Sequence, residues 1–207
     1  MIDKVLVYCW FGGNPKPRLI QNCLDSWKKI IPEYPLIEIN ESNFDIESYR
    51  YVKQAYRQKK WAFCSDVARF DWLNKNSGIT IDADVECIKP FPEDMLNNRA
   101  FTSKESAGRW ISAVIASESN HPWVERILRY YIKHDFIYDP SKICNTTIID
   151  EINHRLYERI QGNVIYLRDQ VAIYPSEYLE AKDWSTGKKN VTHNTITCHN
   201  YTASWVK

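Results

Sequence analysis

Apolar residues along this chain fall into two patterns: short unbroken runs, and longer stretches in which they recur at three and four. Val5 to Trp10 is an unbroken run short enough for a buried strand. Phe11-Gly12-Gly13-Asn14-Pro15 follows as a turn. From Arg18 to Ile31, the positions Ile20, Leu24, Trp27 and Ile31 share a helical face, and Pro32 stops the helix. Leu36 to Ile39 reads as a second strand, and Asn43 or Asp45 can cap a helix reaching about Lys60. Trp61 to Lys75 is predicted to be a helix, and Gly78 turns the chain into the strand Ile79–Ile81. Further on, Ile111 to Ala116, Val164 to Leu167 and Thr195 to Cys198 read as strands. Pro122 to Tyr131 and Thr146 to Ile160 read as helices, and the polar, basic stretch Lys182 to Asn190 as a mobile loop.

Strands alternating with helices predict an α/β fold with a largely parallel central sheet flanked by helices, in one domain over residues 1–207. Ligands of such sheets bind at the carboxyl ends of the strands, where Trp10 and the segment Asp82-Ala83-Asp84 are both expected. With 207 residues the chain is long enough for a sizeable core. Twenty-seven basic and 26 acidic residues leave a net charge of +1, which gives no electrostatic case for a nucleic-acid partner. Aromatic residues make up 14%, enough to fill a core and also line a pocket that stacks flat ligands. The six cysteines are dispersed, without a Cys-x-x-Cys pair, which argues for a reducing, cytoplasmic compartment and no disulfide framework. No apolar run approaches the length of a membrane span, and the first residues lead straight into a strand without a signal peptide. Loose peripheral association with a membrane surface stays open.

The chemistry concentrates at Ile79-Thr80-Ile81-Asp82-Ala83-Asp84-Val85. A buried carboxylate is costly unless a cation compensates it, so two acids at the end of an apolar strand need a reason. Asp82 and Asp84 can converge on one hard cation, and oxygen ligands suit Mg²⁺ or Mn²⁺. Such an ion keeps open positions for phosphate oxygens, which suggests a metal–phosphate site, with a nucleotide sugar as one candidate ligand. Alone, an Asp-x-Asp triplet is a weak signal, because Asp is common in turns.

Two further groups strengthen it. Asp66 and Arg69 are three apart in the apolar helix Trp61–Lys75, so they share a face and can read sugar hydroxyls or phosphate. A plain intrahelical ion pair is the simpler reading of the same spacing. Near the end of the chain, Cys198-His199-Asn200-Tyr201-Thr202-Ala203-Ser204-Trp205 offers an imidazole as third metal ligand, and Ser204 and Trp205 as donors to a phosphate.

Taken together, Tyr8 to Gly13, Ala62 to Arg69, Gly78 to Val85 and Thr195 to Trp205 resemble the sugar-binding DXD glycosyltransferases. The resemblance is strongest to the capsular-polysaccharide members of glycosyltransferase family 32, a group related to yeast mannosyltransferases and clostridial glucosylating toxins. It implies a glycosyltransferase A-type fold and a retaining hexosyl transfer from a nucleotide sugar, with UDP the expected carrier. The implied acceptor is an oligosaccharide or lipid-linked glycan at the inner face of the cell membrane. Carried onto this sequence, Trp10 stacks on the base, and Asp66 and Arg69 hold donor hydroxyls. Asp82 meets ribose and metal, Asp84 ligates the metal, and His199 lies near it. Ser204 and Trp205 then contact the diphosphate. The family's second terminal His is Asn200 here, and its Gly-Gly before the DXD strand is Ser77-Gly78. Three alternatives remain at this stage: transfer to a protein, a non-catalytic nucleotide-sugar-binding module, and an aspartyl-phosphate phosphatase. The last lacks its downstream acidic pair.

Overall fold

The computed structural model describes residues 1–139 and 145–202. Its centre is an eight-stranded mixed sheet in the order β2-β1-β3-β6-β5-β9-β8-β7. The strands are β1 (Leu6–Cys9), β2 (Leu36–Ile39), β3 (Gly78–Ile81), β5 (Ala100–Ser103), β6 (Val114–Ser117), β7 (Tyr157–Gln161), β8 (Val164–Leu167) and β9 (Val171–Tyr174). Strands β1, β2 and β3 pair in parallel, as do β5 and β9, and the remaining pairs are antiparallel. Followed across the sheet, these pairings run six strands in one direction and reverse only β6 and β8. A separate two-stranded ribbon joins β4 (Val85–Cys87) to β10 (Thr197–His199).

Both faces of the sheet are covered. Val7 belongs to one hydrophobic cluster, and its neighbours Leu6 and Tyr8 to the other, as the two-residue repeat of a strand requires. The first face carries α2 (Arg50–Arg57), α3 (Trp61–Lys75) and α5 (Pro122–Lys133) through Val52, Val67, Phe70, Trp123 and Ile127. On the second lie α1 (Arg18–Ile30), α4 (Glu93–Leu96) and α7 (Ser176–Leu179), through Ile20, Leu24, Trp27, Met95 and Leu179. A further helix, α6, spans Asn145–Arg155.

Several boundaries differ from the sequence expectation for identifiable reasons. The predicted helix over 146–160 ends at Arg155, and Tyr157–Gln161 is an edge strand exposed at every position. With neither face buried, that strand has no alternation to read. The helix toward Lys60 is confined to Arg50–Arg57, while Asn43 and Asp45 cap tight turns upstream through hydrogen bonds to Asn40 and Glu47. Strand β6 begins at Val114 rather than Ile111, because Ser112 folds its hydroxyl back onto the Val114 backbone. The stretch expected as a mobile loop is a closed hairpin. Lys182 bridges Lys189, and the Asp183 carboxylate accepts from Ser185 and from the Thr186 hydroxyl and backbone N–H. The five described cysteines are free thiols.

Trp27 connects this frame to the acidic segment. It is 1% exposed, and its indole N–H donates to the Val85 carbonyl at 2.8 Å, holding α1 against the start of β4. Trp27→Phe removes that donor and strands a buried acceptor. The expected loss is about 1–3 kcal/mol for the bond, with a further cost for unfilled ring volume. Urea unfolding measures it, and an unchanged midpoint would deny the indole any anchoring role.

Candidate active site

Asp82 stands at the carboxyl end of β3, and its N–H donates to the Ala113 carbonyl at 3.0 Å. The Asp82 carbonyl accepts from Val85 at 3.0 Å, which closes a tight turn and swings Asp84 back beneath the strand end. The two carboxylates therefore differ. Asp84 is buried at 8% exposure, whereas the Asp82 side chain is 38% exposed.

Arg69 on α3 bridges two elements. One terminal nitrogen meets Asp66 at 2.6 Å and the other meets Asp82 at 2.7 Å. The expected intrahelical pair therefore exists and is tied to the acidic triplet as well. Burial drives the Asp66 carboxyl up to about 6 against the opposing pull of Arg69. It also raises Asp82, with Arg69 and then His199 working the other way. Burial disfavours the Arg69 charge, yet Asp82 and Asp66 outweigh it and raise its pKa. The Arg69 Nε is buried with no hydrogen-bond partner.

His199 reaches the same place from the far end of the chain. In the β4–β10 ribbon it pairs with Val85, which sets its ring beside Asp84. Its Nε2 faces Asp84 Oδ1 at 3.2 Å, and its Nδ1 faces Glu180 Oε2 at 3.0 Å. Burial alone would lower the imidazole pKa, but Glu180 and Asp84 raise it well above its ordinary value. Burial likewise works against the Asp84 anion. Hydrogen bonds from His199 and Thr202 overcome it and hold the carboxyl well below the usual range. Both the N–H and the hydroxyl of Thr202 donate to Asp84 Oδ2, each at 2.8 Å.

Donor atoms of Asp82, Asp84 and His199 all lie within 4.8 Å of one another. Two carboxylates and one imidazole form a donor set that fits Mn²⁺ or Mg²⁺. The carboxylate behind the imidazole is the arrangement usual for a metal-ligating histidine. Asn200 does not join them. Its side-chain amide donates to the Asp84 carbonyl and to Cys23, so it secures the ribbon from behind.

Trp10 lies at the same end of the sheet. Continuing the β1–β3 register sets Cys9 beside Asp82, with Trp10 next in the chain. Its indole N–H donates to Asn14 O at 2.8 Å, and the Lys16 ammonium sits 5.5 Å from the ring centre. The turn after Trp10 needs Gly12. Its φ is +91°, and a Cβ there would meet the Trp61 ring at 2.6 Å.

Trp10, Asp66, Arg69, Asp82, Asp84 and His199 are thus gathered at one end of the sheet. Ser204 and Trp205 lie outside the described residues. Sequence reasoning missed Glu180 and Thr202. Glu180 is one of three acids in the mixed stretch Glu177–Asp183 and carries no distinguishing signal, and Thr202, though inside the quoted terminal segment, is marked out only by its contact with Asp84.

A family model described as capsular polysaccharide synthesis protein matches residues 1–164. The chain belongs to this family. The matched residues include the Trp10 segment, the Asp66–Arg69 face and the Asp82–Asp84 triplet, and they end before His199. This agrees with the resemblance seen in the motifs. No curated protein sequence matches the chain. Among solved structures, the PaToxG glycosyltransferase superposes with a TM-score of 0.50 at 20% identity, over 62% of this chain and 59% of its own. The chain therefore spans less than two thirds of that structure. A glycosyltransferase involved in glycosylation of the major capsid of PBCV-1 gives 0.50 at 10% identity, over 96% and 94%. GlyE of Streptococcus pneumoniae TIGR4 gives 0.50 at 10%, over 85% and 46%. At these identities the likeness speaks for the fold, which is the glycosyltransferase type expected from the sequence.

Proposed function

We propose that this family member is a metal-dependent, retaining glycosyltransferase. It moves a hexosyl group from a nucleotide sugar, with UDP the favoured carrier, to a glycan in surface-polysaccharide synthesis. One observation carries the reading: Asp82, Asp84 and His199 converge at a strand end where Arg69 already links Asp82 to Asp66.

The chain's own residues divide the work. Trp10 stacks on the nucleobase at the mouth of the site. Asp66 and Arg69 orient donor hydroxyls, and the guanidinium adds positive charge near the departing diphosphate. Asp82, Asp84 and His199 hold the cation, Mn²⁺ or Mg²⁺, which when bound supplies Lewis-acid stabilisation of that diphosphate. Ser204 and Trp205 are assigned to the diphosphate by resemblance alone. Every carboxylate described at this centre has a partner: Asp66 and Asp82 share Arg69, Asp84 holds Thr202 and His199, and Glu180 faces His199. That favours front-face attack, in which the leaving phosphate takes the acceptor proton, over a covalent intermediate on a carboxylate. The assigned acceptor is a lipid-linked oligosaccharide at the cytoplasmic membrane face, reached by peripheral association. Among the described residues, no helix is long and apolar enough to cross a membrane.

Calorimetric titration with UDP, GDP and their sugar conjugates, with and without Mn²⁺, tests the proposal. Manganese-dependent binding of UDP conjugates is expected. If no nucleotide sugar binds with or without the metal, the donor site is wrong. Trp10→Ala should weaken nucleotide affinity by about 5- to 150-fold, corresponding to the ~1–3 kcal/mol measured for base–aromatic stacking. Equal affinity in that variant would exclude stacking.

A further inference from the structure

Glu180 lies immediately after α7 and is 2% exposed. Its Oε1 accepts the Ala113 N–H at 2.7 Å, and its Oε2 faces His199 Nδ1 at 3.0 Å. The Ala113 carbonyl in turn accepts the Asp82 N–H at 3.0 Å. One buried side chain thus links the histidine to the peptide that seats Asp82. The Tyr201 ring packs on the imidazole at 4.0 Å.

We infer that Glu180 is the positioning residue for His199: it holds a proton on Nδ1, so that Nε2, the nitrogen facing Asp84, is the one that can give up its proton and offer a lone pair to a divalent cation. This rests on the proposed metal role of His199. Both carboxylate oxygens are required. An amide at position 180 must place its oxygen toward the Ala113 N–H, because a buried backbone donor left unpaired is costly. Its NH₂ then points at Nδ1, which has to accept. The imidazole proton moves to Nε2, and no lone pair remains there for a metal.

The test is manganese binding, read from the spectrum of free Mn²⁺ by electron paramagnetic resonance. Four proteins are compared: wild type, Glu180→Gln, His199→Ala and the double variant. Glu180→Gln should bind Mn²⁺ about 10–100-fold more weakly, the usual scale for losing a group that orients a metal ligand. The same change should have no further effect once His199 is gone. Equal affinity in wild type and Glu180→Gln overturns the inference while leaving the metal site standing. An equal loss in the His199→Ala background also overturns it, because that is the behaviour of a merely structural residue. Absence of Mn²⁺ binding in wild type brings down the metal reading itself. Should Glu180→Gln fail to fold, ring ¹⁵N shifts of the wild-type protein loaded with Zn²⁺ decide the matter. A proton on Nδ1 and metal on Nε2 are expected, and the reverse assignment refutes the inference.

Discussion

Asp84→Asn will lower metal-dependent sugar transfer by at least about 10²–10³-fold, the scale on which loss of one preorganised electrostatic group acts. Asparagine is chosen over alanine because Asp84 also has a structural task. Its Oδ2 takes two hydrogen bonds from Thr202, and its carbonyl takes the Asn200 N–H, which together hold the end of β10 against the start of β4. An amide oxygen keeps the Thr202 contact but removes the negative charge that the proposed cation requires. Steady-state transfer assays should be paired with circular dichroism and thermal unfolding. The expected outcome is a cooperative, folded variant without metal-dependent turnover. Full turnover in a folded Asp84→Asn protein would remove the central functional claim.

Arg69→Met should damage both stability and binding. The guanidinium is the shared partner of Asp66 and Asp82, and its side chain is 10% exposed. Without it, Asp66 stays buried and loses the guanidinium that opposes its desolvation, which favours the protonated carboxyl toward which burial already drives it. Removing one partner of a buried ion pair costs about 3–5 kcal/mol, and the lower end applies here because the Asp82 side is 38% exposed. Denaturant unfolding measures that loss. Nucleotide-sugar affinity should fall as well if the guanidinium holds the donor. An unchanged unfolding midpoint would mean that Arg69 is not what compensates the two carboxylates. Destabilisation with unaltered donor affinity would leave Arg69 a purely structural role.

Legibility in the sequence followed local burial. Ile79 to Ile81 is a β-branched run and Val5 to Trp10 an unbroken apolar one, and both strands are covered on both faces, so their presence could be read directly. Helices α1 and α5 each announced a buried stripe, whereas α3 showed as an apolar stretch that is buried on most sides. The ribbon strand Val85–Cys87 is only three residues long, too short for any period. Strand β5, Ala100–Ser103, hides a buried hydroxyl whose pairing is invisible locally: Thr102 bonds Ser112 and the Val114 carbonyl. The hairpin 182–190 looked like a solvated loop because its closing bonds come from turn side chains and one backbone bridge, which leave no apolar signature.

By itself the sequence determined the α/β alternation, the pairing of Asp66 with Arg69 one turn apart, and the placement of Asp82 and Asp84 at the end of a buried strand. These follow from periods of two and 3.6 residues, which act between near neighbours. Tertiary structure alone decided that Arg69 would reach Asp82, that Thr202 would cap Asp84, and that Glu180 would stand behind His199. Those contacts join residues 13, 118 and 19 apart along the chain. No local repeat encodes them. They form because the sheet brings one end of β3, the β4–β10 ribbon and the residue after α7 into a single buried space, where every charge must find a partner.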